Sequence, residues 1–90
     1  MDVVGDRWSL LIVNEALAGT TRFSHFRRRL GVATNILSSR LDRLEALGIL
    51  TSVPIRLDSS IRNYQLTEKG RGLQTVIVAM TRWESDFGAG

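Results

Sequence analysis

Between Arg22 and Tyr64 the hydrophobic period of the chain changes from helical to alternating, and few folds accept the resulting order of elements. Phe23, Phe26 and Leu30 recur three and four residues apart, as the buried side of a short helix does, with Arg27, Arg28 and Arg29 on its other positions. Gly31 ends that helix, and Val32-Ala33 lead to Thr34, a good N-cap for the next one. The second helix is expected to run to about Leu47 and to stop at Gly48. At about 100° per residue, Leu37, Leu41 and Leu44 share one side with Ile36 and Leu47 flanking, while Asn35, Ser38, Ser39 and Asp42 fall opposite. Ile49 to Ile55 and Ile61 to Leu66 then read as two strands around the polar tip Arg56-Leu57-Asp58-Ser59-Ser60. Two helices joined by a short glycine-containing turn, followed by a hairpin, are the parts of a winged helix-turn-helix, mainly α with a small β-hairpin (α+β).

The outer face of the second of these helices carries small hydrogen-bonding groups. Such groups suit a helix that presses against base edges in the major groove, with Asn matched to adenine and Ser adaptable. Thr34, Asn35, Ser38 and Ser39 are the candidate base-reading residues, and Arg43, on the flank, is placed for a phosphate. Asp42 argues against this reading unless its carboxylate meets a cytosine amino group or an arginine. The hairpin is the expected wing, with Arg56, Ser59 and Arg62 tracking the DNA backbone together with Arg27 and Arg28. Pro54 gives the first strand the character of an edge.

Charge is concentrated in the same stretch. From Arg22 to Arg62 there are eight arginines against three acids, a balance of +5, whereas the remainder has four basic and six acidic residues, a balance of −2. A phosphate backbone is the natural complement, because each neutralised phosphate releases condensed counterions.

The flanking helices suggest a partner subunit. A first helix is expected from about Asp6 to Ala18, where Trp8, Leu11 and Ile12 follow one apolar stripe and Leu10, Val13 and Leu17 a second. Thr67 is expected to cap a last helix reaching about Phe87, on which Leu73, Val76, Met80, Trp83 and Phe87 keep the seam spacing of helix-on-helix packing. Ninety residues make one small domain with limited core, so both stripes point to a homodimer with Leu10, Val13, Leu17, Val76, Met80, Trp83 and Phe87 in its interface. The expected layout is a helix-turn-helix over about 23–47, a wing over about 49–66 and a dimerisation helix over about 67–87.

Several functional classes find no support. The chain has no cysteine, which excludes disulfides, thiolate metal sites and thiol-based redox sensing within these residues. His25 is the sole histidine and has no patterned catalytic partner, so neither nucleophilic catalysis nor a metal or cofactor site is expected. No apolar run approaches the roughly 18 residues of a membrane span, and the start MDVVGDRW lacks a signal peptide's order, so a cytoplasmic location and no membrane partner are expected. Winged helices also serve as protein-protein modules without nucleic acid, but a polar third-helix face ringed by arginines favours double-stranded DNA. An apolar groove at a dimer interface would have room for a small-molecule effector, although no convergent polar set names its chemistry.

Taken in order, GDRWSLLIVNEAL, GTTRFSHFRRRLG, ATNILSSRLDRLEALGIL and YQLTEKG resemble the HxlR-type transcriptional regulators, a branch related to the MarR-like winged helix proteins. The resemblance implies a homodimeric bacterial DNA-binding regulator whose third helix enters the major groove and whose first and last helices form the dimer. Members of that family usually extend beyond both ends of this chain, often with a cysteine before the first helix, which implies a shortened form or a fragment here. The wing departs from the family in lacking paired prolines and in carrying Asn63 where a Glu commonly precedes the tyrosine.

Overall fold

The computed structural model describes residues 7–88, with α1 (Arg7–Leu17), α2 (Phe23–Leu30), α3 (Thr34–Ala46), β1 (Leu50–Pro54), β2 (Arg62–Leu66), α4 (Glu68–Arg71) and α5 (Gln74–Phe87). Asp6, the expected start of the first helix, lies outside the described residues. The helix-turn-helix and the hairpin fall within a residue or two of where the periodicity places them. Gly31 ends α2 at φ +64, a left-handed conformation that costs glycine no Cβ clash, and its N–H closes the helix onto the Arg27 carbonyl. Thr34, in contrast, is the first residue of α3 and not its cap: Ala33 holds the extended capping position and offers no side-chain bond. An apolar cap leaves the first N–H groups of α3 to solvent or to a ligand.

α1 is the central element, packed by α2, α3, β2 and α5. This corrects the expectation of an outward second stripe. Val13 is fully buried beside Ile12 in the chain's own core, and Leu10 and Leu17 are partly buried against that core. A helix surrounded on several sides needs several apolar faces, and here the chain itself supplies most of the cover. The core is completed by Phe26, Val32, Leu37, Leu41, Leu44, Ile49, Leu50 and Ile77.

The two strands pair antiparallel, with Leu50 opposite Leu66, Ser52 opposite Tyr64 and Pro54 opposite Arg62. The connector before α2 adds to this hairpin: the Tyr64 N–H donates to the Thr21 carbonyl at 2.8 Å, and Arg22 bridges to Asn63. Tyr64 also meets Phe26 edge to face, with ring centroids 6.4 Å apart. The stem of the wing is therefore tied to the start of α2 as well as to its own turn.

The last helix is interrupted, which is a second correction. Thr67 does cap α4, its Oγ1 accepting from the Gly70 N–H at 3.0 Å, but α4 ends at Arg71 and α5 starts at Gln74. Glycines at 70 and 72 weaken helix continuation, and the Leu73 N–H reaches back only to the Gly70 carbonyl, a tighter three-residue turn. Gly70 is required where it stands, because a Cβ there would come within 2.2 Å of the Ile49 carbonyl oxygen. Around it Lys69 Nζ donates to the Leu47 carbonyl at 2.7 Å, and the Thr67 hydroxyl faces the Gly48 and Ile49 carbonyls. The Leu66-Thr67-Glu68-Lys69-Gly70 run thus clamps the exit of α3 to the entry of the wing.

Candidate nucleic-acid interface

α3 places its inner and outer faces as the periodicity requires. Leu37, Leu41 and Leu44 are buried, and Thr34, Asn35, Ser38, Ser39 and Asp42 are exposed. The exposed side chains are short, so a groove wall could approach the helix backbone closely. Arg43 is half-buried on the flank.

The arginines fall into two groups. Arg27 and Arg28 are exposed on α2, next to the turn that leads into α3. Arg29 is paired with Glu15 of α1, whose carboxylate also accepts from Thr20 Oγ1 at 3.2 Å. That pairing neutralises Arg29 and fastens α2 to α1, which leaves Arg27 and Arg28 as the outward cations of this helix. His25 is exposed near them.

The wing is held mostly by its own polar groups. Arg56 is exposed, Ser59 accepts the Ile61 N–H on its hydroxyl at 3.0 Å, and the Ser59 N–H reaches the Arg56 carbonyl at 3.1 Å. Ser59 therefore shapes the tip. Leu57 stands fully exposed beside Arg56. Arg62 lies along the stem, where its Nε and Nη2 donate to Ser52 Oγ at 2.8 Å and to the Ser52 carbonyl at 3.0 Å. The Ser52 hydroxyl in turn donates to Glu45 Oε2 of α3 at 3.0 Å. This contact between α3 and the wing was not legible as a motif. Only the pairing register reveals that Ser52 and Arg62 are diagonal neighbours on one face.

Asp42 and Glu45 put negative charge on the wing side of α3. Burial, joined by these two carboxylates, pushes the Tyr64 hydroxyl above its ordinary value, and the nearby Arg62 partly offsets them. Glu45 is linked to the wing arginine Arg62 through Ser52, whereas Asp42 stays on the exposed face of α3 and the objection it raises stands.

At the opposite end of the molecule, α5 rests on α1 through Ile77 and leaves Val76, Trp83 and Phe87 exposed. Trp83 and Phe87 lean on each other with centroids 6.0 Å apart. Between α1 and α5 lies a groove of about 200 Å³ floored by Leu10, Leu11, Ile77 and Met80, with Asn14 and Thr81 among its polar lining and an exposed Arg7–Glu84 pair at 4.0 Å on its edge. No helix among the described residues is long and apolar enough to cross a membrane.

Known proteins share this arrangement. The chain is 41% identical over 87 residues to the HTH-type transcriptional regulator MT3179 of Mycobacterium tuberculosis, a match that covers 97% of this chain and 55% of that protein. The crystal structure of PA1607, described as a candidate transcription factor, superposes with a TM-score of 0.89 at 44% identity, covering 99% of this chain and 62% of the other. The reduced form of the transcriptional regulator YodB from B. subtilis superposes with a TM-score of 0.82 at 30% identity, covering 98% and 87%. The chain therefore spans little more than half the length of the curated relative MT3179. The sequence profile described as HxlR-like helix-turn-helix matches residues 3–89, nearly the full length, and with these likenesses it makes the chain a member of the HxlR-like helix-turn-helix family.

Proposed function

We propose that the protein is a transcriptional regulator that binds double-stranded DNA as a homodimer, with α3 in the major groove and the wing on the adjacent backbone. The observation that carries this reading is the outer face of α3: Asn35, Ser38 and Ser39 are exposed together on a helix that packs against both α2, with its exposed Arg27 and Arg28, and the first strand of the arginine-bearing wing. The regulators MT3179 and YodB are its relatives, which supports the transcriptional role. The exposed Val76, Trp83 and Phe87 of α5 support self-association, for which Leu10 and Met80 at the α1–α5 groove are the neighbouring surface; Leu17 lines a separate concavity beside Leu66 and Gln74. A two-fold pair would set two α3 helices about one DNA turn, roughly 34 Å, apart and call for a near-palindromic operator. The α1–α5 groove is also the place where a small apolar effector would act on that dimer.

A salt series of duplex binding, read by fluorescence anisotropy, tests the DNA reading. Affinity should fall steeply with salt, and replacing Arg56 and Arg62 by alanine should reduce the log–log slope by about one unit per contact in each protomer. A slope unchanged by the double substitution would remove the wing from the interface, and binding indifferent to salt would favour a protein-docking role instead.

A further inference from the structure

The bond chain Glu45–Ser52–Arg62 joins the recognition helix to the wing through one hydroxyl. Ser52 Oγ donates to Glu45 Oε2 at 3.0 Å and accepts from Arg62 Nε at 2.8 Å, and the Ser52 carbonyl accepts from Arg62 Nη2 at 3.0 Å. A guanidinium has two useful edges. The Nε–Nη2 edge of Arg62 is committed to Ser52, so the Nη1–Nη2 edge is the one left for an anion, and it too can grip a phosphate with two parallel bonds. An unheld arginine loses rotamer freedom when it takes up such a contact, whereas a held one has lost it already.

We propose that Ser52 is a positioning residue: with Glu45 it locks the Arg62 fork at a set angle to α3, so that helix and wing meet DNA in fixed register. This rests on the DNA-binding reading above. Ser52 itself need not touch DNA. Its role follows from coupling, because Glu45 takes the hydroxyl proton and so keeps a lone pair of Ser52 Oγ turned toward Arg62 Nε. Cooperative polarisation along a donor chain strengthens both bonds.

The test has two arms. In the free protein, the Arg62 Nε–H should show a resolved, slowly exchanging nitrogen-correlated NMR signal that is lost in Ser52→Ala and Glu45→Ala and kept in Ser52→Thr and Glu45→Gln, which retain the hydroxyl and the acceptor. On duplex DNA across a salt series, Ser52→Ala should weaken binding about three- to ten-fold for each protomer engaged while leaving the salt slope unchanged, since the charge is still present. Added to Arg62→Ala, the same substitution should cost nothing further. Independent losses in the double variant, or an Nε–H signal indifferent to Ser52, would overturn the proposal. Failure of the unaltered protein to bind any duplex would instead overturn the DNA reading on which it rests, and the NMR arm separates the two failures.

Discussion

α3 and α5 are both amphipathic helices of similar length, and the chain treats them differently. α3 buries Leu37, Leu41 and Leu44 completely and shows solvent a polar face. α5 buries Ile77 alone and shows solvent Val76, Trp83 and Phe87. The first is complete within one chain, so its outer face is available for a ligand chosen by hydrogen bonds. The second is incomplete, and water contact with two clustered aromatic rings favours burial against another apolar surface. Ordinary folding accounts for the burial of α3, whereas α5 keeps an exposed apolar face that the proposed dimer would cover.

The contrast is broken most severely by a charge in the centre. Val13→Asp places a carboxylate in a fully buried site that offers it no designed partner, which costs at least about 4 kcal/mol, a large part of a small domain's total stability. Circular dichroism should show an unfolded or strongly destabilised chain. If Val13→Asp folds normally and only loses self-association, Val13 belongs to the interface after all.

The same comparison predicts the opposite pattern for α5. Replacing Trp83 and Phe87 together by alanine should leave the thermal midpoint of the isolated protomer nearly unchanged while weakening self-association at least ten-fold, about 1.4 kcal/mol or more, by sedimentation. A folded chain that sediments as a monomer with or without these rings would end the dimer reading for these residues. On α3, alanine at Asn35, Ser38 or Ser39 should each cost about 1–3 kcal/mol on a specific operator and little on random duplex, with folding untouched. Equal losses on both duplexes would leave α3 with a positioning role only.

The smallest effect concerns Tyr64, the sole tyrosine, whose ionisation can be followed by ultraviolet absorbance. Its folded-state pKa is raised, first by burial and then by Glu45 and Asp42. The stability linked to the protonated phenol is therefore complete below the unfolded value of about 10 and is lost as pH rises through the folded one. Glu45→Gln should shift the titration downward without removing the whole displacement, since burial remains. An unmoved titration would place the Glu45 charge away from the α3–wing junction.

The helix-turn-helix was legible because its evidence is local. Apolar spacing from Phe23 to Leu30 and from Leu37 to Leu44 has no other economical reading, and Gly31 supplies the left-handed residue that the turn demands. The exposed face of α3 follows from the buried one by the helical period, so Asn35, Ser38 and Ser39 could be picked out before any packing was known. What escaped were the features that depend on neighbours distant in sequence. Val13 looked available because periodicity reports that a face is apolar without reporting what covers it, and the cover comes from elements folded around α1. The helix break before α5 was hidden because Gly70 answers to the Ile49 carbonyl, 21 positions away. The Glu45–Ser52–Arg62 chain depends on hairpin register and on the seating of α3 against the strands. Local periodicity and turn chemistry thus determined which elements form and which faces are polar. Tertiary packing decided which apolar face is left exposed and which arginine is hydrogen-bonded along the wing stem, because burial and hydrogen-bond partnership belong to pairs of elements and not to either one alone.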